Sequence, residues 1–512
     1  MNLLDELQKL PTSSYKYCGT HVLSIRCVLR LVDSLLFLKL IFVYRFFIYS
    51  KHILISSIFI FLLCSCSTKQ DNVTPNLPLP TTWNNYSIAQ KDNASSKWWL
   101  QFNDPILNEL IKESLDNNSD IELAMSNVLT AKAQLNLVNS YRFPQINLQG
   151  GANRTKNSKK TKAPNEPKFS NNFGLASVLN YELDLWGAAA NASESAKKTF
   201  LASEYSKAAV RLSVISNVTI SYFNLLALDK QIYLTEKLIE AQTEIYKLNQ
   251  KLYNLGVGDL ISVSEAASEL ALTNLSLPPL KQQRHEQETA LKILVGRTPE
   301  NIVNGLIYRD KPIDYFPALP VLPKILPSEL LEQRPDIKAA EQNLLAADAN
   351  LQAIKATYFP QISLTGLLGF GSNKLNTLFT NSAETWQVGG NIAGPIFDFG
   401  KTRANVQIAE SVKEQYIAQY KLVVRTAFGE VMDALSAGQT SSNNFHIWQQ
   451  NEAALMSIFK LADQRYKRGN IDYLTVLTAK QNVLQNEIDG VAIKLSQLSS
   501  IVNIFHALGG EW

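Results

Sequence analysis

The chain is written twice. FPQI occurs at 143–146 and again at 359–362, an offset of 216 residues that also carries Asp120-Ile121 onto Asp336-Ile337. Further along, the offset becomes 213 and matches Gly187 to Gly400, Tyr253 to Tyr466, Gly256 to Gly469, Asp259 to Asp472 and Val263 to Val476. Two repeats, 98–311 and 328–509, therefore share one plan, joined by a Pro-rich passage at 312–327. Any fold assigned to the chain must accommodate that plan twice.

Each repeat opens with a helix, at 118–140 in the first, and passes into a two-strand region, at 141–186 and 358–399. Ile146 and Leu148 alternate with Gln145, Asn147 and Gln149, which predicts a strand with two unlike faces. After the polar loop at 155–168, Phe173, Leu175, Leu179, Tyr181, Leu183 and Leu185 share the face of a second strand. The later hairpin runs through Ile362, Leu364 and Leu367, then Trp386, Val388, Ile392 and Ile396.

Long helices follow each hairpin. From Ala188 to Tyr253 there is neither glycine nor proline, and the segment 187–253 predicts a helix of about 100 Å. Leu201, Tyr205, Ala208, Leu212, Ile215, Thr219, Tyr222 and Leu226 form a four-three seam along it. A glycine turn leads into a second helix at 259–296, and the equivalents in the other repeat are 400–466 and 471–508. Pro278-Pro279, with Gly490 near the equivalent place, predict interruptions that mark a girdle.

All four cysteines (Cys18, Cys27, Cys64, Cys66) lie within the first 66 of 512 residues, which excludes a disulfide framework or thiolate metal site in the body. A net charge of +4 gives no reason to expect nucleic acid. Residues 53–63, ILISSIFIFLL, have the length of a signal-peptide core and end in LCSC at 63–66. That spacing resembles a bacterial lipobox, which implies a signal peptide at 51–65, lipidation of Cys66 and a lipidated tether at 66–97. The segment 1–50 stands ahead of this signal as an N-terminal extension whose start is in question, since Met1 and Met125 are consecutive methionines.

About 10 alternating residues is the length of a tilted transmembrane β-strand. Four strands cannot close a barrel, and an open edge in lipid leaves backbone groups unpaired, so copies must share one barrel. Helices about 100 Å long likewise need neighbours, and side by side they would wall an aqueous lumen.

WWLQFNDPILNELI at 98–111, DIELAMSNVLTAKAQL at 120–135, LDLWG at 183–187, IFDFG at 396–400 and YKRGNIDYLTVLTAKQ at 466–481 occur in the order found in outer membrane efflux proteins. The chain resembles that TolC-like family, in its lipoprotein subgroup. The resemblance implies a mostly α fold with membrane β: a homotrimer whose 12-stranded outer-membrane β-barrel is continuous with a periplasmic α-helical barrel built from two internal repeats. It implies an exit duct passing small toxic compounds from an inner-membrane pump and a periplasmic adaptor to the exterior. Outer-membrane lipid is a further partner, and no cofactor or metal is implied.

By the same resemblance, the periplasmic turns that meet the adaptor carry Tyr253, Gly256, Asp259, Tyr466, Gly469 and Asp472. Gly256 and Gly469 also read as helix caps, and Asp259 and Asp472 as N-caps. Relatives often narrow this end with acidic rings; the matching positions here are Thr475 and Thr478, with Tyr466 as a bulky constriction. The loop lysines Lys156, Lys159, Lys160 and Lys162 fall where an external loop belongs, either solvated or against anionic lipid. Trp98, Trp99 and Trp186 read as interfacial anchors or, for the first two, as packing near the tether.

Two other readings stand beside the efflux duct. One is the exit duct of type I protein secretion, and the other is a coiled-coil envelope lipoprotein without a pore. Catalysis is not expected: beyond residue 66 the histidines are His285, His446 and His506, none at metal spacing, and HExxH, GxSxG and the P-loop are all missing.

Overall fold

The structure, a computed structural model, describes residues 97–158, 160, 167–309, 316–320 and 327–510, with 75, 77–80, 82 and 83 ahead of them. The expectations for the extension, the signal segment, Cys66 and most of the tether fall outside the described residues, as do Lys159 and Lys162.

The first repeat runs α1 (Pro105–Asn117), α2 (Ser119–Ser140), β1 (Gln145–Lys156), β2 (Phe169–Leu183), α3 (Ala188–Asn254) and α4 (Leu260–Leu294). The second runs α5 (Pro335–Lys355), β3 (Gln361–Ser372), β4 (Glu384–Ala393), α6 (Lys401–Lys467) and α7 (Tyr473–Ala507). α3 and α6 have 67 residues each, about 100 Å of helix, and α4 and α7 have 35 each. An equal count in both repeats is what two copies of one unit require.

Gly187 and Gly400 start the long helices with φ of 75° and 86°. Only glycine reaches that region without strain, so each glycine can close the short connection after the strand, 184–187 or 394–400, and start the helix at the next residue. A second symmetric pair closes each repeat. Asn118, the N-cap of α2, donates from Nδ2 to the Leu294 carbonyl at the end of α4, at 2.8 Å. Arg334, 216 residues later, sits at the N-cap of α5 and donates from Nη1 to the Ala507 carbonyl at the end of α7, also at 2.8 Å. Different side chains thus satisfy the same orphan carbonyl in the two repeats.

The hydrophobic core gathers at mid-height around α3. Val218, Tyr222, Phe223 and Leu225 are fully enclosed, with Trp98, Phe102, Leu107, Ile111, Leu291 and Phe505 among their neighbours. Trp98 stacks on Phe505 with centroids 5.1 Å apart. Trp98 and Trp99 are therefore core residues and not interfacial anchors; both are buried, because the segment 98–102 turns inward onto α3. Asp104 caps α1 by accepting from the Ile106 and Leu107 amides, and it also accepts the Tyr222 hydroxyl at 3.0 Å. A buried carboxylate is tolerated there because its oxygens meet donors.

The helix at 260–294 continues through Pro278 and Pro279, so the predicted interruption is absent. Each proline leaves the carbonyl four residues earlier without its amide partner. Those carbonyls belong to Asn274 and Leu275, which are exposed, so solvent can satisfy them. Gly490 does not break α7 either. Its missing side chain leaves room for Trp448, whose ring would stand 2.3 Å from a Cβ at that position.

Candidate functional site

The four strands form one antiparallel sheet in the order β1-β2-β3-β4. β1 pairs with β2 through Ile146 opposite Leu179, and β3 pairs with β4 through Ile362 opposite Ile392. Between the repeats, β2 pairs with β3 through Tyr181 opposite Leu364. Directly opposed residues share a face, so the register sorts the side chains.

One face carries Ile146, Leu148, Leu175, Leu179, Tyr181, Leu364, Leu368, Trp386, Val388 and Ile392. The other carries Asn147, Gln149, Asn180, Glu182, Ser363, Thr365, Gln387 and Asn391. Leu367 belongs to this second face, opposite Val178 and Gln387, and not with Ile362 and Leu364 as its place in the sequence suggested. Period two decides the matter: 367 differs in parity from 362 and 364.

Among the described residues, nothing covers the apolar face. Leu148 is 73% exposed, Val388 79% and Ile392 69%. An apolar sheet face of that extent is unstable in water and suited to hydrocarbon. Among the described residues, β1 and β4 each pair on one side only, so the sheet ends in two free edges. At the end away from the helices, Arg154 lies over the Phe169 ring at 5.3 Å, beside Lys156 and Lys160. Trp186 sits at the helix end, where its Nε1 donates to the Pro360 carbonyl at 2.7 Å and its ring stacks on Phe359 at 4.7 Å. It ties the exit of β2 to the entrance of β3.

The opposite end of the molecule is formed by two helix turns. Gly256 and Gly469 hold φ of 75° and 76° at the ends of α3 and α6. After each, the chain folds back onto the helix, with the Val257 amide bonded to the Leu252 carbonyl and the Asn470 amide to the Arg465 carbonyl. Asp259 then accepts from the Ser262 amide at 2.8 Å and from its hydroxyl at 2.9 Å. Asp472 accepts from the Thr475 amide at 2.7 Å and hydroxyl at 2.8 Å. The amide bonds first, and the hydroxyl bonds second, hold both carboxyls below the ordinary carboxylate range.

The two turns present different surfaces. Leu255, Val257, Leu260 and Ile261 are exposed on the first, whereas Arg465, Lys467 and Arg468 are exposed on the second. Tyr253 and Tyr466 are both partly exposed, and Tyr466 leans on Tyr473 with centroids 5.0 Å apart.

A polar stripe climbs α7 from this end. Asp472, Thr475, Thr478, Asn482, Gln485 and Asp489 are exposed at three- and four-residue spacing, while Val476, Leu477, Ala479, Val483, Asn486 and Gly490 are buried behind them. Thr475 is occupied as a donor to Asp472, and Thr478 donates to the Leu474 carbonyl at 3.0 Å. Sequence reading passed over Asp489, which accepts from Gln485 at 3.1 Å. Its signal was the spacing from Asp472, along one helix face.

Because the folded carboxyl of Asp472 is held low, the cap contributes fully above the unfolded value of about 3.9 and is lost as pH falls through the folded value. A nitroxide label at Asn470 is expected to gain mobility only below about pH 4. Asp472→Asn is expected to remove that dependence. A mobility change centred between pH 5 and 7 would assign the turn to some other group.

The family described as outer membrane efflux protein matches residues 110–297 and 326–510, one segment in each repeat. The chain belongs to the outer membrane efflux protein family. It is 30% identical over 472 residues to the probable efflux pump outer membrane protein TtgC of Pseudomonas putida, covering 90% of this chain and 96% of that protein. The cation efflux system protein CusC of Escherichia coli is 30% identical over 455 residues, covering 88% and 96%. Among solved structures, the Campylobacter jejuni CmeC outer membrane channel superposes with a TM-score of 0.75 at 30% identity, covering 86% of this chain and 95% of that one. The open state of the Neisseria gonorrhoeae MtrE outer membrane channel gives 0.76 at 26% identity, covering 87% and 98%. The fold is that of these channels, and the chain is an outer-membrane efflux duct. α3 contains a stretch apolar enough to cross a bilayer, yet 67% of that stretch is buried, so the membrane element is the sheet.

Proposed function

We propose that three copies close their sheets into one 12-stranded barrel and stand their helices together as a periplasmic tunnel. The duct passes small toxic compounds outward from an inner-membrane pump and a periplasmic adaptor. The single observation that carries this reading is the sheet with an exposed apolar face, a polar face and two free edges. Such a sheet is complete only as part of a closed barrel in lipid.

The polar face would line the pore, and the stripe on α7 would continue that lining toward the tips. The duct performs no covalent chemistry: polar, mostly uncharged side chains let hydrated solutes pass, and the pump supplies direction. Adaptor contact is assigned to the two turns, Tyr253 to Asp259 and Tyr466 to Asp472, with Thr475, Thr478 and Tyr466 at the narrow end. Cys66 would carry the lipid that tethers the chain to the membrane.

A spacer lipoprotein without a pore has no use for a two-faced sheet. Purified trimer in a planar bilayer is expected to show stepwise conductance, and folded trimer without conductance would overturn the duct. Deleting the gene is expected to raise susceptibility to toxic small compounds while leaving secreted proteins unchanged. The opposite pattern would assign the duct to type I secretion.

A further inference from the structure

The end of the first hairpin away from the helices carries its charge on one face only. Arg154 stands opposite Asn171 and Lys156 opposite Phe169, so both share the parity of Ile146, Leu148, Leu175 and Leu179 on the apolar face. On the other face, the pairs at this height are Asn153 with Asn172 and Thr155 with Ser170, all uncharged. Cations that served only to solvate a loop would have no reason to sort by face. Their height is also defined. On β2 the apolar face runs from Leu183 to Phe173, about 34 Å along the strand. At a tilt of about 40° that span is about 26 Å tall, which matches the apolar band of about 25 Å on an outer-membrane barrel. Arg154 and Lys156 lie two and four residues beyond the level of Phe173, about 5 and 10 Å higher, where lipid headgroups begin.

Three cations gather around one ring there. Arg154 lies 5.3 Å and Lys168 5.5 Å from the centroid of Phe169, and Lys156 is its cross-strand partner. The backbone beneath them is fixed beyond the last ladder pair: the Asn157 amide donates to the Lys168 carbonyl at 2.9 Å, and Asn157 Nδ2 donates to the Pro167 carbonyl at 3.1 Å. All three cations are exposed, and among the described residues no carboxylate pairs with any of them. Like charges held together repel, and a shared anion relieves the repulsion. The second hairpin does not repeat the arrangement. The offset of 216 carries Arg154 and Lys156 to Phe370 and Ser372, and the offset of 213 carries Lys168 and Phe169 to Asn381 and Ser382. A requirement common to both hairpins would have been written twice.

We propose that Arg154, Lys156 and Lys168 form a binding site for a phosphorylated lipid of the outer leaflet, one site per chain. The guanidinium and the two ammonium groups hold the phosphate, and the acyl chains lie down the apolar face past Leu148 and Leu175. Phe169 keeps Arg154 and Lys168 gathered through cation–π attraction. Free phosphate would answer the charges and leave the apolar face beneath them bare, so charge and apolar face together select a lipid. The inference rests on the proposed barrel, which puts this end of the sheet at the outer surface.

Native mass spectrometry of the full-length protein in neutral detergent tests the site, with lipid A, a diphosphorylated glycolipid, as the probe. The unsubstituted protein is expected to retain one lipid per chain, and the fully dephosphorylated form of the same lipid should not be retained. The triple variant Arg154→Gln, Lys156→Gln and Lys168→Gln is expected to weaken retention about a hundred-fold, about five-fold for each charge. Lys374→Gln, which removes an exposed lysine just beyond β3 in the second hairpin, should leave retention unchanged. Equal retention by the triple variant, equal retention of the dephosphorylated lipid, or none by the unsubstituted protein overturns the site. Displacement by inorganic phosphate at the concentration of the lipid itself overturns a lipid as the ligand. Conductance in a planar bilayer keeps the two readings apart. The triple variant is expected to conduct like the unsubstituted protein, so retained lipid in a conducting triple variant refutes the site alone, whereas folded protein that never conducts refutes the duct.

Discussion

Arginine at Leu368 should abolish assembly, while arginine at the adjacent Leu367 should leave it intact. Leu368 lies on the apolar face near the middle of β3, opposite Ser177 and Trp386, and is 61% exposed in the single chain. A guanidinium on the lipid face near the bilayer midplane costs about 2–4 kcal/mol per chain. Three chains carry it at once, so the trimer is penalised by about 6–12 kcal/mol. Leu367 faces the other way, opposite Val178 and Gln387, where water can hydrate the charge. The checks are the amount of heat-modifiable trimer in outer-membrane fractions and, for Leu367→Arg, conductance in a planar bilayer. L367R is expected to form trimer with lowered cation conductance, because three positive charges then ring the pore. Equal loss of trimer from both variants would refute the face assignment.

That pair of residues also marks where the sequence was legible and where it was not. The length of α3 was readable because no glycine or proline interrupts Ala188 to Tyr253, and the repeat then supplied α6. The strand faces were readable where alternation is strict, as from Ile146 to Gln149. At Leu367-Leu368 two leucines in sequence blur the alternation, and the unbroken pairing of β3 on both sides shows that parity holds there and puts Leu367 on the face opposite to Ile362 and Leu364. Pro278-Pro279 misled for a related reason: a local rule predicts a break, but the carbonyls it frees face solvent and the helix persists. Trp98 and Trp99 read from residue type either as interfacial anchors or as packing near the tether, and the stacking of Trp98 on Phe505, which decides for packing, is a contact across some 400 residues of sequence. At the tips, the capping roles of Asp259 and Asp472 followed from residue type and spacing. The split between an aliphatic first turn and a cationic second turn was written in LGVGDLI and RYKRGN, and the repeat drew attention away from it.

The second large effect is expected where α7 packs on α6. Gly490 stands where an added Cβ would fall 2.3 Å from Cε2 and Cζ2 of Trp448 and 2.5 Å from its Nε1. The indole is buried and donates to the Asn486 carbonyl at 2.9 Å, while Lys494 lies over the ring at 5.1 Å. Asn451 adds a side-chain bond to Asn486 at 2.6 Å. The atoms met by that Cβ belong to the indole itself, which is held at one edge by its Nε1 bond to Asn486 and on its face by Lys494. Gly490→Ala therefore has to expel or tilt Trp448. The expected cost is about 1–3 kcal/mol from overpacking, with about 1 kcal/mol more from the lost hydrogen bond. Helix propensity acts in the other direction, favouring alanine by about 1 kcal/mol, and is too small to reverse the outcome. Thermal dissociation of the trimer is the measurement, with G490A expected to melt well below the unsubstituted protein. Trp448→Leu alone should also destabilise, through the cavity it leaves. In the double variant the two losses should fall short of their sum, since a smaller side chain at 448 vacates the volume that the new methyl needs. Additive losses would mean that the two residues are not in contact, and that α6 and α7 are held together elsewhere.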